Sequence, residues 1–319
     1  MKKSIKFFNK YLFLLGLILF ALILSRADLG EIFQNIKNIN PLYLILAMLM
    51  TVPTLFNKTL CWNYIKRQQR IKYSLKNSFL MYCSGLYIGL LTPGRLGEIA
   101  KALYLKKDGY SMGKSLVSVV LDRLSDFVFL LLFIFWGSVL FFTVFQKTIL
   151  IPVLYMTIVI ALFLIFLKIG LIKWVLNKIF RIFIPLKYQK SWQINFQDFI
   201  NDLKIYKLKH YLIIFLVTAF SWVFYYLQMY VLAKGVGLNI PFLYLAISVT
   251  IAGFITLIPI SISGVGTRDA ALIILFSPFL MAKEQIIAFS ALILLMVIWG
   301  ALIGLICWLI KPLKIHSRG

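Results

Sequence analysis

Apolar runs near 20 residues long recur along this chain, at about 11–24, 41–57, 77–92, 115–143, 149–168, 211–233, 242–259, 265–282 and 286–310. A helix of about 20 apolar residues is what crosses a hydrocarbon core roughly 30 Å thick. Backbone in lipid must satisfy its own hydrogen bonds, so only helices and closed barrels span a bilayer. The runs lack the ten-residue apolar/polar alternation of a membrane barrel. Composition points the same way: of 319 residues, 62% are hydrophobic and 14% charged, which excludes a soluble domain, a disordered chain and a disulfide scaffold. The chain reads as an all-α polytopic membrane protein, one membrane domain over 1–319.

The net charge of +24 would suggest nucleic-acid binding in a soluble protein. Here the basic residues lie between apolar runs, where they set topology and meet anionic lipid, so no nucleic-acid partner is expected. Five segments hold 26 of the 34 Lys and Arg: the N-terminus, 58–76, 101–114, 168–209 and the tail after 310. An excess of Lys and Arg marks cytoplasmic loops. These five segments, both termini included, are thus expected on the cytoplasmic side of a multi-pass protein of the cell membrane. Lys2, Lys3, Lys6 and Lys10 before the run at 11–24 resemble a signal peptide. The exit Ser25-Arg26-Ala27-Asp28 has no small-x-small cleavage site, so a retained first helix is expected.

Segments 58–76 and 101–114 are both basic, so the run between them should enter and leave on one side. That run contains Leu91-Thr92-Pro93-Gly94-Arg95-Leu96-Gly97-Glu98. Pro93 disfavours helix in the residue before it, and Gly94 and Gly97 loosen the backbone further. A second interruption, Ile258-Pro259-Ile260-Ser261-Ile262-Ser263-Gly264-Val265-Gly266, lies between two short, weakly charged loops at 234–241 and 283–285. The expected architecture is about six full spans plus two broken, re-entrant helical hairpins. The order of elements in residues 1–145 repeats in 146–319 with opposite orientation. That parity favours an inverted repeat, an arrangement in which transporters place substrate at paired Gly/Pro-interrupted segments. Leu171 to Phe183 mixes Lys and Arg with aromatic and aliphatic residues, as an amphipathic helix on the membrane surface would.

Only ten acids exist in the chain. Glu98, Asp122, Asp126 and Asp269 lie in or beside apolar segments, together with Arg95, Arg123 and Arg268. Seven such charges facing lipid would cost roughly 17–25 kcal/mol, more than the roughly 5–15 kcal/mol that holds a typical fold together. They must pair, face an aqueous cavity or sit nearer the interface. Arg95 and Glu98, and Arg123 and Asp126, are each three apart, and Asp122 and Asp126 share a helix face. A structural salt-bridge network is one account of these charges. The functional alternative is that Arg95 and Arg268, each near the start of a half-helix, offer an anion two guanidinium groups and two helix N-termini. Cys61, Cys83 and Cys307 read as small apolar packers, and His210 and His316 lack partners at ligand spacing. No metal or cofactor is expected.

Three motifs in order carry a resemblance. They are Gly89-Leu90-Leu91-Thr92-Pro93-Gly94-Arg95-Leu96-Gly97-Glu98 through Lys101-Ala102, then Leu121-Asp122-Arg123-Leu124-Ser125-Asp126, then Ile258 to Ala271 with Gly264-Val265-Gly266-Thr267-Arg268-Asp269. Together they resemble the flippase-like membrane region of lysylphosphatidylglycerol synthases, which also occurs alone in integral membrane proteins of the UPF0104 type. Asp122 stands where many members carry Glu, which keeps the carboxylate. The synthases add their aminoacyl group with a separate cytoplasmic domain, for which this chain has no room. The resemblance therefore implies a translocase moving an anionic or phosphate-linked lipid across the cytoplasmic membrane, with Arg95, Glu98, Asp122, Arg123, Asp126, Arg268 and Asp269 meeting the headgroup. Two other classes stay open. One is an intramembrane lipid-linked transferase using Asp122 and Asp126 as acid and base. The other is a non-catalytic membrane partner of a separately encoded glycosyltransferase or synthase.

Overall fold

The computed structural model describes residues 25, 27–90, 92, 97–141, 189–256 and 264–313. These form ten α-helices and no strand: α1 (Leu29–Lys37), α2 (Pro41–Gln68), α3 (Leu75–Leu90), α4 (Ala100–Lys107), α5 (Met112–Leu140), α6 (Gln189–Leu203), α7 (Leu208–Gly235), α8 (Phe242–Ile255), α9 (Thr267–Phe276) and α10 (Lys283–Ile310). The expected spans at 11–24 and 149–168, the amphipathic piece at 171–183 and the junction at 145/146 lie outside the described residues, as do Pro93, Gly94, Arg95 and Pro259.

Among the described residues α2, α7 and α10, each of 28 residues, are long and apolar enough to cross a membrane. Helix α5 matches them with 29 residues but carries Asp122, Arg123 and Asp126 in its middle. Local chemistry sets the boundaries. Asn40 caps α2, accepting a hydrogen bond from the Leu42 N–H, and Pro41 takes the first helical position, where no N–H is needed. Ser111 caps α5 in the same way. Leu212, Leu216, Phe220, Leu302, Ile306 and Leu309 are exposed, the outer face expected of helices surrounded by lipid rather than water.

Both interruptions reverse the chain. Helix α3 rises 16 residues, about 24 Å, and the chain then returns along it. Gly89 faces Glu98, Gly85 faces Lys101, and Gly97 sits against the Ile88 carbonyl, an antiparallel register. The Thr92 hydroxyl holds the bend, donating to the Gly89 carbonyl and accepting from the Gly97 N–H at 2.6 Å. At the hairpin's open end Tyr73 Oη donates to Asp108 Oδ2 at 2.6 Å, so the chain leaves where it entered. The second hairpin is α8 and α9. Gly264 lies against Thr256 at its closed end, and Tyr244 Oη donates to the Leu275 carbonyl at its open end.

The open ends lie at opposite ends of the bundle. Gln69 Nε2 bonds the Lys114 carbonyl and Asp202, Tyr206 Oη donates to the Ile65 carbonyl, and Tyr104 Oη to that of Lys311. These contacts gather the described parts of the basic segments at one end, the basic end. Ile39, Val236, Leu238, Ile240, Tyr244, Phe276 and Ile286 pack together at the other, joining the weakly charged connections. The segregation of charge that sequence counting implies is thus a property of the fold. Between the two ends α2 and α7 run side by side, and Gln228 Nε2 donates to both the Ala47 carbonyl and Thr51 Oγ1. Gly304 lets α10 approach α3 so closely that a Cβ there would meet the Cys83 carbonyl at 2.6 Å.

Candidate functional site

The glycines of α3 make room for charge. A Cβ on Gly85 would stand 2.5 Å from Lys101 Cγ, and one on Gly89 2.6 Å from Glu98 Cγ. The returning arm of the hairpin therefore lays two long charged side chains against bare backbone. Both are buried: Lys101 is 0% exposed and Glu98 2%. Opposite them stands the middle of α5, where Asp122 is 1% exposed. Asp126 lies 14 residues after Met112, about 21 Å along the helix.

A network of six charges results. Lys101 Nζ lies 2.5 Å from Asp122 Oδ2 and 3.5 Å from Glu98 Oε2. Arg123 Nη2 lies 2.8 Å from Glu98 Oε2, 3.5 Å from Asp122 Oδ2 and 3.7 Å from Asp126 Oδ2. Lys58 of α2 pairs with Asp126 Oδ1, which also accepts a 3.0 Å hydrogen bond from Trp222 Nε1 of α7. Three cations meet three carboxylates, so the cluster is neutral, as the cost of buried charge demands. Aromatic faces line it: Lys101 Nζ lies 4.4 Å from the Tyr82 ring centroid, and Lys58 Nζ 5.2 Å from that of Trp222.

Two members keep unused hydrogen-bonding capacity. Among the described residues neither Glu98 oxygen has an aligned donor, and Arg123 Nε has no acceptor, although all three atoms are buried. The ion pairs neutralise these groups without saturating them. Buried polar groups are ordinarily hydrogen-bonded, which makes these three atoms exceptional among the described residues.

Of the residues singled out from sequence, Glu98, Asp122, Arg123 and Asp126 come together here. Arg95, the expected partner of Glu98, lies outside the described residues; Lys101 and Arg123 are the cations found beside that carboxylate. Sequence reasoning assigned Lys58 and Lys101 to topology, yet both are buried members of the network. Lys66 was counted the same way and is also buried; its ammonium donates to Ser78 Oγ and lies 3.6 Å from the Trp62 ring centroid. For Lys101 a signal was present, three residues after Glu98. For Lys58 and Trp222 there was none, since their partner Asp126 is 68 and 96 residues away.

Arg268 and Asp269 occupy the start of α9. Arg268 donates from Nε to Ser290 Oγ at 2.7 Å and from Nη2 to the Ser290 carbonyl at 2.8 Å, which fastens the second hairpin to α10. Asp269 accepts from the Gly266 N–H at 2.7 Å, so its own carboxylate meets the N-terminus of the half-helix. Gly264 and Gly266 both have φ of +83°, the left-handed region that glycine tolerates. Phe254, near the end of α8, lies 5.3 Å from the ring centroid of Phe127, the residue after Asp126. The flank of the second break therefore reaches α5 at the depth of the network.

Known proteins resemble this chain over most of its length. A UPF0104 membrane protein of Methanocaldococcus jannaschii is 27% identical over 296 residues, covering 87% of this chain and 85% of its own. A UPF0104 membrane protein of Methanothermobacter thermautotrophicus is 23% identical over 284 residues, covering 83% and 84%. The family described as the lysylphosphatidylglycerol synthase TM region matches residues 10–304, which include both hairpins and every member of the charge network. This multi-pass helical membrane protein belongs to the lysylphosphatidylglycerol synthase transmembrane-region family.

Proposed function

We propose that the protein is a lipid translocase of the cell membrane, with its basic end and both termini in the cytoplasm. Its substrate class is a lipid whose headgroup carries a phosphate. The observation that supports this best is the neutral, buried network around Glu98 and Arg123, in which Arg123 Nε and Glu98 Oε1 have no hydrogen-bond partner among the described residues. Arg123 would meet a phosphate oxygen through Nε, and Glu98 would accept from hydroxyl or ammonium groups of the same headgroup. The acyl chains stay in lipid while the headgroup moves through the bundle. Arg95 and Arg268, with Asp269, would serve the same path from the two breaks, and the halves 1–145 and 146–319 would be inverted repeats that rock about the network. The family's printed name supports a lipid substrate, and the ion pairs that occupy Asp122 and Asp126 favour a role in holding the network over acid–base chemistry.

Purified protein reconstituted into vesicles, with leaflet-selective chemical quenching of a headgroup-labelled phospholipid, tests this reading. Transport is expected from the native chain, its loss from Arg123→Ala, and partial recovery from Arg123→Lys, which restores the charge but not the planar fork. Folded Arg123→Ala protein that transports normally would remove the network from the path. Turnover of a lipid-linked donor by the purified protein would replace translocation with group transfer.

A further inference from the structure

On the outer surface, α2 and α7 leave a groove between them of about 410 Å³, lined by Asn57, Leu60 and Tyr64 of α2 and Leu216, Val217 and Phe220 of α7. The volume lies within the range of small-ligand sites. The two stripes that form it continue at helical spacing toward the basic end. Beyond Asn57, Leu60 and Tyr64 the next residue on the α2 face is Arg67. Before Phe220 and Leu216 the α7 face carries Ile213 and then Lys209. Arg67 and Lys209 are both exposed, and the ring of His210 lies 6.4 Å from that of Tyr64. An apolar trough thus opens between two cations, with tyrosine and histidine at the level where an aromatic belt meets the interface.

The dimensions fit one acyl chain. Lys209 and Phe220 are 11 residues apart, about 16 Å along the helix, and one leaflet of a 30 Å core is about 15 Å deep. A single acyl chain whose headgroup sits at Arg67 and Lys209 would therefore reach from the interface to Asn57. The inner wall is thin. Behind Val217, Thr218 Oγ1 lies 3.0 Å from Ser125 Oγ and 3.5 Å from Cys61 Sγ, and Ser125 precedes Asp126 in the network.

We infer that the α2–α7 groove is a binding site for an anionic phospholipid of the basic-end leaflet, its phosphate between Arg67 and Lys209 and one acyl chain along Leu60, Tyr64, Leu216 and Phe220. The site deepens the translocase reading by naming where the lipid waits, yet it stands or falls by binding alone. Phosphatidylglycerol and phosphatidylcholine bearing a diazirine midway along one chain, each at equal mole fraction in nanodiscs holding the native protein, provide the probe. After irradiation, peptide mass spectrometry locates the adducts.

Labelling of 57–64 and 213–220 should be at least fivefold higher with phosphatidylglycerol. The exposed double variant Arg67→Gln, Lys209→Gln should reduce it to the phosphatidylcholine level, and Leu216→Trp should block it with either lipid. Equal labelling by the two lipids, or adducts spread evenly onto Leu302, Ile306 and Leu309 of α10, would overturn the site and leave only annular lipid. Selective labelling in a protein that moves no lipid would keep the groove and refute translocation. Transport that survives loss of the labelling in the double variant would keep the groove as a binding site and remove it from the transport path.

Discussion

Replacing Lys101 with Met removes one of three cations from a neutral, buried network. Lys101 Nζ stands 2.5 Å from Asp122 Oδ2, where Coulomb attraction at an effective dielectric of 20 is about 6–7 kcal/mol before desolvation is counted. Removing Lys101 also removes its own desolvation cost and its repulsion with Arg123, so the net loss is smaller. Breaking one side of a buried pair costs about 3–5 kcal/mol, because the remaining charge is left uncompensated. Asp122→Asn is expected to cost less, about 2–3 kcal/mol, since Lys101 keeps Glu98 at 3.5 Å. In the double variant neither charge is stranded, and the Arg123–Glu98 pair at 2.8 Å persists. Its loss should therefore be no greater than that of Lys101→Met alone, a coupling of about 2–3 kcal/mol. Equilibrium unfolding in mixed micelles, followed by tryptophan fluorescence, measures all four corners of the cycle. Additivity within about 0.5 kcal/mol would show that the two side chains do not share an energetic unit, and would refute the network as drawn.

Gly264→Ala should destabilise by about 1–3 kcal/mol in the same assay, because φ is +83° and the new Cβ would stand 2.4 Å from Thr256 Cγ2. Thiols introduced at Gly30, Gly237 and Glu284 should react with an impermeant reagent from one side of sealed vesicles, and thiols at Arg70, Asp108 and Lys207 only from the other; labelling at Asp108 together with Gly237 would break the hairpin topology. At the basic end, burial above all holds the Asp202 carboxyl above its ordinary value, against the lowering effect of the Gln69 hydrogen bond. The folded state then binds this proton more tightly than the unfolded chain, so the group's contribution to stability falls as pH rises from the ordinary carboxylate range toward the raised value. Asp202→Asn should remove that slope from the stability profile, and an unchanged slope would show that Asp202 does not produce it.

Sequence alone determined the class and the order of the fold. Apolar runs of bilayer length require helices because lipid offers the backbone no other partner. The basic segments and the Pro/Gly interruptions Leu91–Gly97 and Ile258–Gly266 are local features that periodicity and counting reveal. The reversal at each break therefore follows from charge parity. Sequence also marked Glu98, Asp122, Arg123 and Asp126 as charges that lipid would reject. Their pairing was decided by tertiary structure. Glu98 meets Arg123 because two glycines of α3 let the returning arm lie flat against it. Lys58 meets Asp126, and Trp222 donates to the same oxygen, only because α2, α5 and α7 cross at one depth. Chain separations of 68 and 96 residues leave no periodic trace. A lysine that sets topology and a lysine buried as a counter-ion are written with the same letter, and only packing tells them apart.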